Sequence, residues 1–183
     1  MIRNFAATAL ALVVLTGPAP AAIAQTAPSA EAQALVDTAN EHYHGRFRPK
    51  NDAEALRLFH QAAEAGHAEA MNNVGAFHSM GLGGLARNDA EALSWYRRAA
   101  DGGYARAMYN LGSFHEFGRG GLAPNDLEAL SWYRRAADEG YAQAMNAIGA
   151  FHEEGRAGLT TDRDEAIRWY RRAGDETARV ALA

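Results

Sequence analysis

The sequence predicts an all-α protein, an α/α solenoid of about four helix-hairpin repeats, and three observations predict it. The chain repeats with an unbroken 37-residue period, so that Asn51, Asn88, Asn125 and Asp162 open successive copies; the copy from 88 reads NDAEALSWYRRAADGGYARAMYNLGSFHEFGRGGLAP. Apolar residues recur inside each copy at helical rather than strand spacing. Start and stop signals for helices fall at the same place in every copy. A period of this length marks a stack in which each unit buries its apolar face against its neighbours.

Residues 1–24 read as a secretory leader. Arg3 supplies the positive start, Ala6 to Leu15 the apolar stretch, and Ala22-Ile23-Ala24 a small-x-small cleavage site. The apolar stretch is shorter than the roughly 20 residues of a membrane-spanning helix, so no integral span is expected. Residues 25–31 have the small-residue and proline character of a flexible lead-in. The array then occupies 32–183, with units at about 32–66, 67–103, 104–140 and 141–175 and a C-terminal tail. In the first unit Ala34-Leu35 through His42 and Gly45 aligns with Ala70-Met71 through His78 and Gly81. It places Thr38 and Glu41 where later copies are apolar, as a terminal unit facing water does.

The second helix of each unit opens on a capping-box spacing: Asn51 with Glu54, Asn88 with Glu91, Asn125 with Glu128, Asp162 with Glu165. The Asx side chain is expected to accept from the N–H three residues on while the Glu reaches back to the cap's own N–H. The helix then presents Ala92, Tyr96 and Ala99 as an amphipathic stripe with Leu93 and Ala100, repeated as Ala129, Tyr133, Ala136, Leu130 and Ala137. Gly66, Gly103 and Gly140 follow as stop signals.

The first helix of each unit has two contrasting arcs. Ala70, Met71, Val74, Phe77 and His78 become Ala107, Met108, Leu111, Phe114 and His115, then Ala144, Met145, Ile148, Phe151 and His152. The opposite arc, carrying Asn72, Asn73, Ser79 and Met80, changes to Tyr109, Asn110, Glu116 and Phe117 and then to Asn146, Ala147, Glu153 and Glu154. Packing between units is solved the same way each time, whereas a recognition face differs from unit to unit. The variable arc is therefore the expected partner-binding surface, with Tyr109, Asn110, Glu116, Phe117, Asn72, Asn73, Asn146 and Glu153 as its candidate residues. Amides pair with a peptide backbone and exposed aromatics anchor small interfaces.

Composition narrows the chemistry. The chain has 183 residues with 48% hydrophobic and 22% charged content, enough for one domain with a core. It carries net charge −4, and removing the leader takes one basic residue and no acidic one, which argues against nucleic acid. Without cysteine there is no disulfide and no thiolate metal site. His78, His115 and His152 come one per unit, and helices about 8 to 10 Å apart space them poorly for one zinc ion; they are read as packing residues, while His42 and His44, two apart on a helix, point to different sides and make no better site. Trp95, Trp132 and Trp169 are read as buried, and Arg97-Arg98, Arg134-Arg135 and Arg171-Arg172 as a solvated face or as partners of Asp101, Asp138 and Asp175. No H-E-x-x-H, G-x-S-x-G or phosphate loop occurs. With Lys50 the sole lysine and Phe47 three residues before it, S-x-x-K cannot be written. Asp162, Asp164 and Glu165 lack the glycine and distal glutamate of a calcium loop and are read as a cap. No catalytic residue, metal or cofactor is assigned.

Taken as one unit, Ala107-Met-Tyr-Asn-Leu-Gly-Ser-Phe-His-Glu-Phe-Gly118 with Gly120, then Asn125-Asp126, Ala129, Trp132-Tyr133 and Ala136-Ala137, resembles the Sel-one-like repeat, a relative of the tetratricopeptide repeat. Two departures stand out: histidine replaces the usual tyrosine at 78, 115 and 152, and the loop carries an extra glycine (Gly83-Gly84, Gly120-Gly121). The resemblance implies a protein-binding scaffold. The expectation is an exported, periplasmic or secreted, non-enzymatic adaptor for a protein or peptide. The alternative is a periplasmic cell-wall-associated binder or hydrolase-like relative, motivated by the leader and by Glu116 and Glu153.

Overall fold

The structure, a computed structural model, describes residues 28–181. The expected leader and its cleavage site lie outside the described residues. Among the described residues eight helices follow in order: α1 (Ala30–His44), α2 (Asp52–Glu64), α3 (Ala68–Met80), α4 (Asp89–Asp101), α5 (Ala105–Phe117), α6 (Asp126–Asp138), α7 (Ala142–Glu154) and α8 (Arg163–Ala181). They pack as hairpins α1–α2, α3–α4, α5–α6 and α7–α8, each joined to the next through the second helix of one and the first of the other. This is the expected all-α solenoid.

Cap chemistry sets the helix starts. The side chains of Asn51, Asn88, Asn125 and Asp162 accept from the N–H of Glu54, Glu91, Glu128 and Glu165 at 2.9–3.2 Å. The reciprocal half of the box is not used. The amides of these four caps donate instead to the carbonyls of His42, His78, His115 and His152, at 2.8–2.9 Å. Glu54 and Glu165 turn to Arg57 and Arg168, and Glu91 to the indole of Trp95. The repeated histidines therefore close each hairpin through their backbone, while their rings are half-buried. Ser29 caps α1, which reaches back to Ala30, inside the stretch expected to be flexible.

Helix ends follow the glycines in three units and fail in the fourth. Gly66, Gly103 and Gly140 take φ of 87°, 81° and 83° just beyond α2, α4 and α6. Thr177 stands at that register in the last unit, and α8 runs on to Ala181 as one helix rather than beginning a new one. The motif glycine of this loop has a steric reason: at Gly120, φ 67°, a Cβ would lie 2.8 Å from the backbone oxygen of Asp89 in the preceding unit, whereas at the extra Gly121 a Cβ would meet nothing and only φ, 84°, favours glycine. Ala157 takes the same left-handed turn in the fourth unit, φ 55°.

Each junction between units is built around one aromatic ring. Tyr133 on α6 lies on Gly112 of its own hairpin, where a Cβ would come within 2.5 Å of the ring. Its other side meets the ring of Phe151 in the next unit, centroids 5.9 Å apart. Tyr96 does the same with Gly75 and Phe114, and Phe59 meets Phe77. The arc expected to be constant is buried: Ala107, Met108, Leu111 and Phe114 are each at most 5% exposed, as are Ala144, Met145, Ile148 and Phe151. On α1 Thr38 and Glu41 are half-buried where their equivalents Val74 and Phe77 are buried, and Glu41 pairs with Arg48, while Val36 and Ala39 supply the helix's buried side.

An arginine reinforces two of the three junctions. Arg156, in the α7–α8 turn, lies over the ring of Phe151 at 4.2 Å, grips both oxygens of Asp126 at 2.7 and 3.0 Å, and reaches Glu116 at 2.7 Å. Arg119 repeats this one unit earlier with Phe114, Asp89 and Ser79. At the first junction Leu82 holds the arginine's register and packs into the core, and one oxygen of Asp52 is buried without a hydrogen-bond partner among the described residues, Lys50 lying 3.5 Å from it. Accordingly the core divides into one cluster spanning α1 to α4 and a larger one from α4 to α8, with Met71 packed against both.

These rungs predict an acid response. Hydrogen bonds from Arg119, and then from Arg87, hold the Asp89 carboxyl down at about 2 against an ordinary 3.8. A carboxylate depressed on folding stabilises the folded chain above its unfolded pKa and loses that contribution as pH falls through the folded one. The urea midpoint of the protein is expected to drop between about pH 4 and pH 2, and that slope to flatten in Arg119→Ala. An unchanged slope would show that the rung does not couple to protons.

Candidate functional site

The first helices α1, α3 and α5 form one wall of an open groove of about 690 Å³, floored by Phe59, Phe77 and Tyr96. It runs across the first three units because position 76 is alanine and position 40 asparagine, short side chains that leave room above the floor. Its rim carries Met80, 53% exposed, and His44, with Phe117, 64% exposed, in the same register one unit on. Among the charged lining residues Arg46 and Arg106 face a single carboxylate, Glu69.

The groove's polar element is a chain of amides. Asn110 donates to Asn72 at 2.9 Å, and Asn72 donates to Asn73 at 3.4 Å. Asn72 is 2% exposed and spends both ends of its amide inside this chain. The Asn73 NH₂ at one end and the Asn110 carbonyl oxygen at the other remain open toward the groove, one donor end and one acceptor end.

The eight residues singled out from the sequence thus separate. Asn72, Asn73 and Asn110 line the groove, and Phe117 and Asn146 are exposed on the same series of helices. Tyr109 packs between Tyr133 and Tyr141, centroids 5.5 and 5.4 Å away, and burial pushes its hydroxyl pKa up. Glu116 accepts from the Tyr133 hydroxyl at 2.6 Å and from Arg156, so it belongs to a junction between units. Burial, then the Glu116 hydrogen bond, push the Tyr133 hydroxyl far above its ordinary value. Glu153 is exposed and accepts from Tyr170 at 3.0 Å. Part of the variable arc varies because the next unit's arginine meets a serine in one copy and a glutamate in the other.

Several contributors were not singled out. Arg106 and Glu69 share a register that changes from copy to copy, the same signal that marked the variable arc, one turn earlier on the helix. Arg46 and Tyr43 belong to a unit too divergent for that comparison. The arginine pairs also differ from one expectation: Arg98, Arg135 and Arg172 lie over Trp95, Trp132 and Trp169 at 4.1–5.1 Å. Among the described residues none of them forms an ion pair with Asp101, Asp138 or Asp175, because stacking on the indole directs the guanidinium back along its own helix. Of the tryptophans Trp95 is buried and the other two are half-buried.

Comparison with known proteins places the architecture. The Sel1 repeat profile matches residues 32–67, 68–104, 105–141 and 142–177. A solved Sel1 repeat protein from Oxalobacter formigenes superposes with a TM-score of 0.73 at 32% identity, over 79% of this chain and 58% of that one. A protective antigen with an SLR fold, present in uropathogenic Escherichia coli strains, superposes with 0.71 at 30% identity, over 80% of this chain and 31% of that one. The chain therefore spans little more than half of the first and a third of the second. No curated protein matches it. Four consecutive matches in register with the four hairpins, glycine-seated tyrosines included, identify the chain as a member of the Sel1 repeat family.

Proposed function

We propose that the chain is an exported, non-enzymatic scaffold that binds a segment of another protein in the groove of α1, α3 and α5. Repeats of this family mediate protein–protein interaction. The observation that carries the reading is the open-ended amide chain Asn73–Asn72–Asn110. One donor and one acceptor held on adjacent units are what a peptide group needs, and both would otherwise face water at the edge of an aromatic floor. Support for export comes from Arg3, the apolar run to Leu15 and the site at Ala24. No helix among the described residues is long and apolar enough to cross a membrane. The cell-wall reading gains nothing from Glu116, whose carboxylate is occupied by Arg156 and Tyr133.

A photo-crosslinking amino acid at Ser113, beside the groove, is expected to capture a partner in the native envelope, while the same group at Ser131 on the outer side of α6 captures none. Capture from Ser131 alone would move the binding surface to the second helices. Intact-mass measurement of the exported protein is expected to give a chain beginning at Gln25, and a mass that retains residues 1–24 would remove the export reading.

A further inference from the structure

We infer that the outer face of the α7–α8 hairpin binds the outer face of the α1–α2 hairpin of a second copy, so that the solenoid continues head to tail from one molecule into the next. Two observations carry this. The end of the array is a junction already built on one side, and its charges select the chain's own first hairpin.

The built side is centred on Tyr170. At the last internal junction Tyr133 lies on Gly112 and donates to Glu116, which also accepts from Arg156 of the following hairpin. Tyr170 lies on Gly149 in the same way and donates to Glu153 at 3.0 Å, but no arginine meets Glu153 among the described residues. The apolar positions nearby are open too. Ile167 is 40% exposed where Leu93 and Leu130 are at most 5%, and Gly174 is exposed where Ala100 and Ala137 are buried. Internal second helices are followed by a turn and the next first helix, whereas α8 runs on as one helix to Ala181 and leaves this face uncovered among the described residues.

The opposite end of the chain offers the missing arginine. Arg46 follows the cap glycine of α1, as Arg119 and Arg156 follow those of α5 and α7. It makes no hydrogen bond or ion pair among the described residues. In a head-to-tail junction it stands to Glu153 as Arg156 stands to Glu116, a pair 2.7 Å apart.

Charge decides which hairpin fits. Inside the array one guanidinium touches both a phenylalanine of its own hairpin and an aspartate of the preceding one: Arg156 lies 4.2 Å from the Phe151 ring centre and 2.7 Å from Asp126. The two positions are therefore neighbours across the junction. Both are changed at the ends of the array, where Arg163 stands at the aspartate position of α8 and Glu41 at the phenylalanine position of α1. An internal hairpin set on α8 would bring its arginine against Arg163, cation on cation. The first hairpin brings Glu41 instead. Glu41 holds Arg48 through Oε2, leaving Oε1 for Arg163, which has no ion pair among the described residues. Leu35 and Thr38, half-buried on α1, supply the less polar part of the contact. The two faces differ, so the contact cannot close as a symmetric pair and adds further copies.

The experiment follows the protein, as the cell processes it, by sedimentation velocity from about 1 μM to about 1 mM, the range of a small reversible interface. The sedimentation coefficient is expected to climb with concentration without levelling at a dimer. Glu41→Arg and Arg163→Glu are each expected to move that climb to at least about tenfold higher concentration, with helical content unchanged, because one sets two cations and the other two carboxylates at the junction. An equal mixture of the two variants is expected to associate again, since every junction between unlike chains then pairs a glutamate with an arginine. Misfolding of either variant cannot give that rescue. A monomer at every concentration overturns the inference, whether residues 1–27 or another protein covers the face. So does a plateau at a dimer, unimpaired association of either variant, or a mixture no better than its components. Crosslinking from Ser113 reads the groove separately, so the two results stand or fall apart.

Discussion

Leu111→Ala is expected to lower the stability of the protein by about 2 to 5 kcal/mol, read as a fall in the urea midpoint followed by circular dichroism. Leu111 is wholly inaccessible to water, in the middle of α5 and in the larger of the two core clusters. Truncation there removes apolar contact and leaves a space that flanking helices, tied to α4 and α6 on either side, cannot close. Total stability of a domain is about 5 to 15 kcal/mol, so the loss is a large fraction of it. Because each unit touches only its neighbours, the damage also weakens the link between the first two units and the last, and the transition is expected to broaden. Ser113→Ala, two residues on and half-buried on the opposite arc in the register of Ala76, is expected to change stability by less than about 0.5 kcal/mol. Equal losses from the two changes would falsify the helix phase on which the groove depends.

Arg156→Ala is expected to cost about 2 kcal/mol or more. The guanidinium serves four groups at once: the carboxylates of Asp126, Glu116 and, more distantly, Glu154, and the face of Phe151. Its removal leaves Glu116, whose side chain is only 12% exposed, with the Tyr133 hydroxyl but no cation. Breaking a fully buried pair from one side costs about 3 to 5 kcal/mol, and the 28% exposure of the Arg156 side chain places this one lower. Arg168→Ala removes an exposed pair with Glu165 at similar distance and is expected to be nearly silent, since both charges stay solvated without each other. Adding Glu116→Gln to Arg156→Ala is expected to restore part of the loss, because a neutral amide is easier to leave buried than a carboxylate. If Arg156→Ala cost no more than Arg168→Ala, the inter-unit rung would have no energetic role.

The architecture was legible because repetition converts a weak local signal into four concordant ones. The caps at Asn51, Asn88, Asn125 and Asp162, the stop glycines and the constant apolar arc all stand where the period puts them. What the period conceals is a contact that spans two copies. Arg119 and Asp89 are 30 residues apart and Arg156 and Glu116 are 40, and each pair joins two different hairpins. Glu116 and Tyr109 looked like recognition residues because they vary, yet each is spent on the next unit, Glu116 on Arg156 and Tyr109 on Tyr141. The amide chain was half visible: Asn72, Asn73 and Asn110 were singled out, but that Asn72 is consumed by the other two depends on how α3 meets α5. In α8 the absence of a stop glycine at Thr177 was written in the sequence, and the resemblance of the following residues to a first helix hid it.

The unequal junctions give the array a grain. At the first junction Leu82 supplies apolar contact where the junctions after it have Arg119 and Arg156 holding carboxylates, which salt screens. The groove lies across that boundary, with α1 and α3 on the greasy side and α5 on the charged one. A change of medium that loosens the charged half is therefore expected to move Asn110 and Arg106 relative to Asn73 and Arg46.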